Sequence, residues 1–354
     1  MTEKDIQAIR DTYKFRQKKA KLLDKEWYTL RSILGNTWAW FYILLGAREA
    51  GKSYAVMEYC IKYYKRTGGF FTWLRLTEPS MRKMLAGNAA KLVDPDLRRK
   101  YDLNLKVRGN DVYDGDRLFC RVLALNTFYN DKGVALYDNE NDLGYVITLD
   151  EMNKEQTAEK TTFDIQYAFV NQMENLVRST KKNMKIFLIG NTLQEAGDIL
   201  CSFGFIPEDF GRYYIHKKKA VIDYMPPSEK YLKRRKGTVA DLLAGDASTF
   251  TNVIDVDTTL IVKTRLIRPQ YIIKFSNSTR DWYTVWNGNV IAQYNGEQVQ
   301  AAIAMRPYLD EVFVAESRDS VIMSFDARAY YYRDLFTQKN FRRQLILVKP
   351  RKSG

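Results

Sequence analysis

Two adjacent carboxylates, one lysine, one serine and a pair of spaced glycines carry most of the chemistry open to this sequence. Gly46, Ala47, Arg48, Glu49, Ala50, Gly51, Lys52 and Ser53 fit G-x-x-x-x-G-K-[ST] at every fixed position, and Tyr54 follows. Glycines at those places let backbone N–H groups turn inward. A helix starting there adds partial positive charge, so the pattern suits phosphate. Lys52 would reach the β- and γ-phosphates of a nucleoside triphosphate, and the Ser53 hydroxyl would ligate Mg²⁺. Residues 145–149 form an apolar run ending in Asp150 and Glu151. A carboxylate at Asp150 can hold Mg²⁺ and anchor Ser53. One at Glu151 can polarise the water that attacks a γ-phosphate. A further apolar run, 185–189, ends in Gly190, Asn191 and Thr192, which makes Asn191 a candidate γ-phosphate sensor. Phosphoryl transfer gains from one more cation. Arg178, at the end of a helix expected between the two runs, is a candidate for reaching a neighbouring subunit's site. Arg48, inside the loop, and Arg75, ending another apolar run, are alternatives.

These residues need strands and helices to hold them. Residues 38–45 read as one buried strand and 54–65 as a helix, so the glycine pattern has the strand–loop–helix setting it requires. Thr67, Gly68 and Gly69 stop that helix; 70–76 reads as a second strand, and Glu78, Pro79 and Ser80 open another helix. Turn signals at Gly109-Asn110 and Asp114-Gly115 split 103–125 into a β-meander, 126–142 is loop-like, and 161–179 is helical. Strands alternating with helices predict an α/β, mostly parallel sheet with its ligand at the strand C-terminal ends. Beyond Thr192 the character changes. The expected organisation is a basic helical extension at 1–36, a motor-like domain at 37–225 with 198–225 lid-like, a basic linker at 226–248, and a smaller α+β domain at 249–354. In that last part, alternating runs at 271–275, 282–286 and 290–294 flank an Asn287-Gly288-Asn289 hairpin turn, and a helix is expected from 327 to 336.

Composition narrows the function. The chain has 354 residues, 56 Lys and Arg against 42 Asp and Glu, and a formal net charge of +14. Such an excess favours a polyanion partner. His216 is the one histidine, and it stands beside Lys217, Lys218 and Lys219, which marks it as a surface residue and excludes histidine-based triads and zinc sites. Cys60, Cys120 and Cys201 are far apart and read as reduced thiols. There is no apolar run long enough to span a bilayer and no signal-peptide pattern, so neither membrane insertion nor secretion is expected.

The loop Gly46–Ser53, the strand ending in Asp150-Glu151 and the strand leading to Asn191 together resemble the DNA-packaging ATPases of phi29-like tailed phages. These belong to the ASCE group of P-loop motors, alongside terminase large subunits and FtsK/HerA translocases. The resemblance implies an ASCE P-loop ATPase fold followed by a vestigial RNase H-like domain. ATP and Mg²⁺ would be held by Gly46 to Tyr54 with Asp150. Glu151 would be the catalytic base and Arg178 the finger acting in trans. It implies a homo-oligomeric ring, usually a pentamer, that works in the host cytoplasm and transiently at the portal (connector) vertex of the procapsid. Double-stranded DNA would thread its centre, with a structural packaging RNA as a further possible component. Residues 128–132 then look like a channel loop, with Lys132, Arg82 and Lys83 as candidate DNA contacts. Asp255, Asp257, Asp281, Asp310 and Asp326 are scattered among basic residues, unlike the converging acids of a two-metal nuclease. Two other readings fit the same motifs: a terminase-type motor with live nuclease or a helicase-like ATPase, and a nucleotide-gated nucleic-acid-binding scaffold without significant turnover.

Overall fold

The computed structural model describes residues 27–132, 144–152, 164–177, 184–191, 198–203, 205, 210–244, 259–262, 264–266, 269–274, 281–295, 318–334, 337–338, 340–342 and 345. Two compact units divide the chain, a larger one within residues 16–254 and a smaller one formed mainly from Asp255 onward.

The larger unit is built on strands β1 (Phe41–Leu45), β2 (Phe71–Arg75), β3 (Leu105–Arg108), β4 (Asp111–Asp114), β5 (Arg117–Ala124), β6 (Tyr145–Leu149), β7 (Met184–Gly190), β8 (Gly211–Ile215) and β9 (Ala220–Tyr224). They form one sheet in the order β3-β4-β5-β2-β6-β7-β1-β9-β8. From β5 to β9 every neighbouring pair is parallel, and antiparallel hairpins extend both edges. Helices α1 (Lys52–Thr67), α2 (Glu78–Ala89), α3 (Pro95–Tyr101), α4 (Ile165–Val177), α5 (Asp198–Phe203), α6 (Glu229–Arg235) and α7 (Val239–Ala244) accompany it. The expected α/β, mostly parallel architecture is borne out.

The apolar runs explain the sheet. Residues Phe71–Arg75 are buried at every position, as a parallel strand covered on both faces must be. Tyr42, Phe71, Trp73, Phe119 and Phe187 lie in one continuous core. Each such side chain contributes about 1.5–3 kcal/mol by leaving water. Helix α1 ends where Gly68 adopts φ 80° and donates its N–H to the Tyr64 carbonyl. At that φ a side chain would be strained, so the stop signal answers a backbone requirement.

Several elements differ from the sequence expectation. The described end of the basic extension, 27–36, is a run of turns. It is fastened by distant partners: Tyr28 Oη donates to Asp223 (2.8 Å), and Arg212 donates to the Ser32 carbonyl (3.0 Å). Residues 211–224, expected within a lid-like segment, form the β8–β9 hairpin that completes the sheet beside β1. Residues 226–248, expected as a linker, carry α6 and α7. Ser228 caps α6 by accepting from the Tyr231 N–H at 3.0 Å, and Lys233, Arg234 and Arg235 complement its C-terminal dipole. Residues 125–131 are a 3₁₀ segment rather than open loop.

The smaller unit has a four-stranded sheet of β10 (Pro269–Lys274), β11 (Asp281–Trp286), β12 (Val290–Asn295) and β13 (Tyr331–Tyr332), with helix α8 (Arg318–Asp326). The Asn287-Gly288 turn joins β11 to β12 as expected. Of the helix expected from 327 to 336, the described residues 327–334 are not helical. Helix α8 ends at Asp326, Arg328 turns at φ 53°, and Tyr331 and Tyr332 pair with Val290 and Ile291. Tyr332 is buried against Phe341, and that aromatic contact outweighs local helix propensity.

Candidate functional site

Strand register assembles the site. Leu45 on β1 lies opposite Gly190 on β7, and Leu149 on β6 lies opposite Leu188 on β7 and Leu74 on β2. Because these strands are parallel, Gly46, Asp150, Asn191 and the end of β2 all emerge at the C-terminal ends of the central strands.

Helix α1 begins at Lys52, with Gly51 at φ 84°, no side-chain cap and no acid in its first turn. The first N–H groups of a 16-residue helix are thus turned toward any anion at the loop. A Cβ at Gly46 would stand 3.3 Å from Met225 Cε and 3.4 Å from Lys52 Cδ, so a side chain there would have to displace both. The buried Lys52 ammonium donates to the carbonyls of Gly46 (2.8 Å) and Ala47 (2.7 Å) and to Asn191 Oδ1 (3.1 Å). Desolvation lowers its pKa to about 8, with Asp150 opposing the shift and Arg48 adding to it.

The acids are held from both sides. Ser53 Oγ donates to Asp150 Oδ1 at 3.0 Å, and Arg75 Nη1 donates to Asp150 Oδ2 at 3.0 Å. The other Arg75 terminal nitrogen donates to Glu151 Oε2. Glu151 is exposed and sits at φ 55°, a conformation that costs a non-glycine residue about 1–2 kcal/mol. The turn is pinned next door, where the Met152 N–H donates to the Ile189 carbonyl at 2.9 Å. Local strain held by rigid neighbours is common where side chains must be aimed. A hydroxyl and a carboxylate 3.0 Å apart, both hard oxygen donors, fit a cation such as Mg²⁺.

Beside these groups lies a cleft of about 1250 Å³, lined by Arg48 to Tyr54, Asp150, Glu151 and Asn191, by residues 27–31 and by Arg234. The cleft therefore gathers the loop, both acids and the sensor candidate. Tyr54 lies at its mouth, 41% exposed. Arg178 lies outside the described residues. Arg48 is exposed, and its carbonyl accepts from Tyr231 Oη at 3.0 Å.

The candidate DNA contacts are not in this cleft. Arg82 is exposed and pairs with Glu78 one helical turn away (2.6 Å), and Lys83 and Lys132 are exposed. Arg82 lines a second cleft, about 490 Å³, with Thr127, Asn130 and Asp131. That cleft follows β2 and β5, so it opens at the same C-terminal end of the parallel strands as the Gly46–Ser53 loop. The 3₁₀ segment is docked on α4, where Gln172 donates to Asp131 (2.9 Å) and Asn175 to the Phe128 carbonyl (2.8 Å). In the smaller unit, Asp326 is exposed, while Asp255, Asp257 and Asp310 lie outside the described residues. Among the described residues no group of three or more His, Cys, Asp or Glu side chains is placed to hold a metal. Nor is any described helix long and apolar enough to cross a membrane.

The sequence offers Arg75 only as an alternative source of the extra cation, yet it grips both acids. The available signal was a lone cation closing a fully buried strand. Tyr231 and Arg234 were hidden inside a run of basic residues, and Trp27 lay in a stretch read as helix.

The chain is 24% identical over 204 residues to the DNA packaging protein of Bacillus phage B103, covering 57% of this chain and 59% of that protein. It thus matches less than two thirds of that relative's length. Among solved structures it is similar to the Phi-28 gp11 DNA packaging motor, at 13% identity and TM-score 0.64, over 92% of this chain and 99% of that one. It is also similar to the bacteriophage Phi-29 viral genome packaging motor assembly, at 18% identity and TM-score 0.60, over 91% of this chain and 99% of that one. At these identities the likeness is one of fold. A family model, that of the podovirus DNA encapsidation protein (Gp16), matches residues 23–331, and with most of its length so matched the chain belongs to that family.

Proposed function

We propose that this protein is the ATP-hydrolysing motor that drives double-stranded DNA into a viral capsid. The observation that carries the reading is the convergence of Lys52, Ser53, Asp150, Glu151 and Asn191 at the C-terminal ends of the central parallel strands. A phosphate-binding protein needs the first two. A hydrolase also needs a base and a group to orient water.

ATP is the substrate of this reading. Its phosphates take the amides of Gly46 to Ser53, and Lys52 turns from the loop carbonyls toward them. Bound Mg²⁺, held by Ser53 and Asp150, would neutralise phosphate charge. Glu151 accepts a proton from the attacking water, and Asn191 orients that water. Arg75 holds Glu151 by an ion pair, so the carboxylate must exchange this partner for water before it acts. Arg178 supplies the remaining cation from a neighbouring subunit, which implies a homo-oligomeric ring, with five copies as the expected number. Lys132, Arg82 and Lys83 contact DNA phosphates, and the +14 net charge suits a grip that ignores base sequence. The ring would act in the host cytoplasm on the capsid portal, with a structural RNA as a possible further component.

The test compares ATP turnover with and without double-stranded DNA for the wild type and Glu151→Gln. DNA should stimulate the wild type, and the variant should lose about 10²–10⁴-fold in rate while still binding ATP. If DNA leaves turnover unchanged and Glu151→Gln is unimpaired, the motor reading fails.

A further inference from the structure

One wall of the nucleotide cleft takes no part in the hydrolytic scheme. Trp27 is 48% exposed, yet its indole lies directly on the phosphate loop, since a Cβ at Gly51 would stand 3.1 Å from Trp27 Cε3. The Arg234 guanidinium lies over the indole ring, 3.7 Å from its centroid, and donates to the Glu49 carbonyl at 2.8 Å. Both residues line the cleft.

Their positions are fixed by separate anchors. The Tyr28 N–H donates to the Ala50 carbonyl at 2.9 Å, and Tyr28 Oη donates to the buried Asp223. On the other side, Tyr231 Oη holds the Arg48 carbonyl and Arg235 pairs with Glu49. Two chain segments far apart in sequence thus bring an aromatic plane and a planar cation to one flank of the loop.

Chemistry says what such a flank would take. Phosphates at the α1 N-terminus are joined to their base through a single ribose, so the base must lie beside the loop. An indole and a guanidinium offer π surface and delocalised charge, the two partners on which nucleobases stack. We propose that Trp27 and Arg234 form the nucleobase platform of this cleft, holding a purine ring by stacking; this rests on the triphosphate reading above. Stacking reads ring area more than hydrogen-bond pattern, so purine nucleotides bind more tightly than pyrimidine nucleotides.

The experiment titrates the full chain, in the presence of Mg²⁺, with ATP, CTP and base-free inorganic tripolyphosphate by calorimetry. Trp27→Ala and Arg234→Ala should each weaken ATP by about tenfold or more, as loss of a stacking partner does. They should leave tripolyphosphate within about twofold of wild type and narrow the gap between ATP and CTP. Trp27→Phe keeps a ring and should recover most ATP binding; should Trp27→Ala not fold, Arg234→Ala and Trp27→Phe carry the same comparison. Equal losses for ATP and tripolyphosphate would mean that the pair only braces Gly51 and Glu49, and would overturn the platform. Unchanged ATP binding would overturn it too. Lys52→Ala separates the two levels: it should weaken ATP and tripolyphosphate together, and if both are unaffected it is the triphosphate site itself that fails.

Discussion

Burial holds the Lys52 ammonium at a pKa of about 8, and phosphate binding should return it toward its ordinary value. The sign follows from linkage: a group whose pKa rises on binding makes binding tighter where the free form is already charged. Affinity for ATP should therefore be flat below about pH 8. Above it, binding must take up a proton, and affinity should fall by up to about tenfold per pH unit. Calorimetry at pH 7, 8 and 9 in buffers of different ionisation enthalpy measures both quantities. Constant affinity with no proton uptake at pH 9 would contradict the assignment. Residues of this kind were legible in the sequence, because phosphate chemistry dictates both their type and their spacing. Arg75 was not ranked alongside them, since its value lies in which acids a neighbouring strand brings beside it. Trp27 and Arg234 meet only across the fold, and no local spacing announces such a pair.

Elements show the same division. The buried strands β2, β6 and β7 were read within a residue or two, because short apolar runs bounded by turn residues admit few alternatives. The turns at 27–36 were misread as helix because their structure is imposed by tertiary bonds. At their centre is a buried pair in which Arg212 Nε and Nη2 donate to Asp223 at 2.6 and 2.7 Å, with Asp223 fully buried. Removing one member of a buried pair strands the other, which typically costs about 3–5 kcal/mol. Asp223→Ala should lower unfolding stability by that order in urea titration. Because Tyr28 also loses its acceptor, ATP affinity should fall as well. A loss under about 1 kcal/mol would mean that the 27–36 segment is held by its apolar contacts instead.

At the scale of the whole molecule, motif order along the chain told that a site existed, while strand order told how it is built. β7 lies between β1 and β6, so Asn191 stands between the Lys52 loop and the paired acids. No periodicity in the sequence specifies that order. Helix α6 has a larger consequence. A protein truncated after residue 225 would keep all nine strands of the larger sheet and every recognisable motif of the site. It would lack Tyr231, Arg234 and Arg235, the side chains that grip the backbone at Arg48 and Glu49 and the Glu49 carboxylate. Such a fragment should fold yet bind ATP more than about tenfold more weakly than one ending at residue 254, because it loses both the Arg234 half of the base platform and the Tyr231 and Arg235 bonds that preorganise the loop. Equal affinities would show that α6 is dispensable. The phosphate loop is therefore not portable. Grafting Gly46 to Ser53 into another scaffold would carry over the signature and leave behind the helix that keeps it in shape.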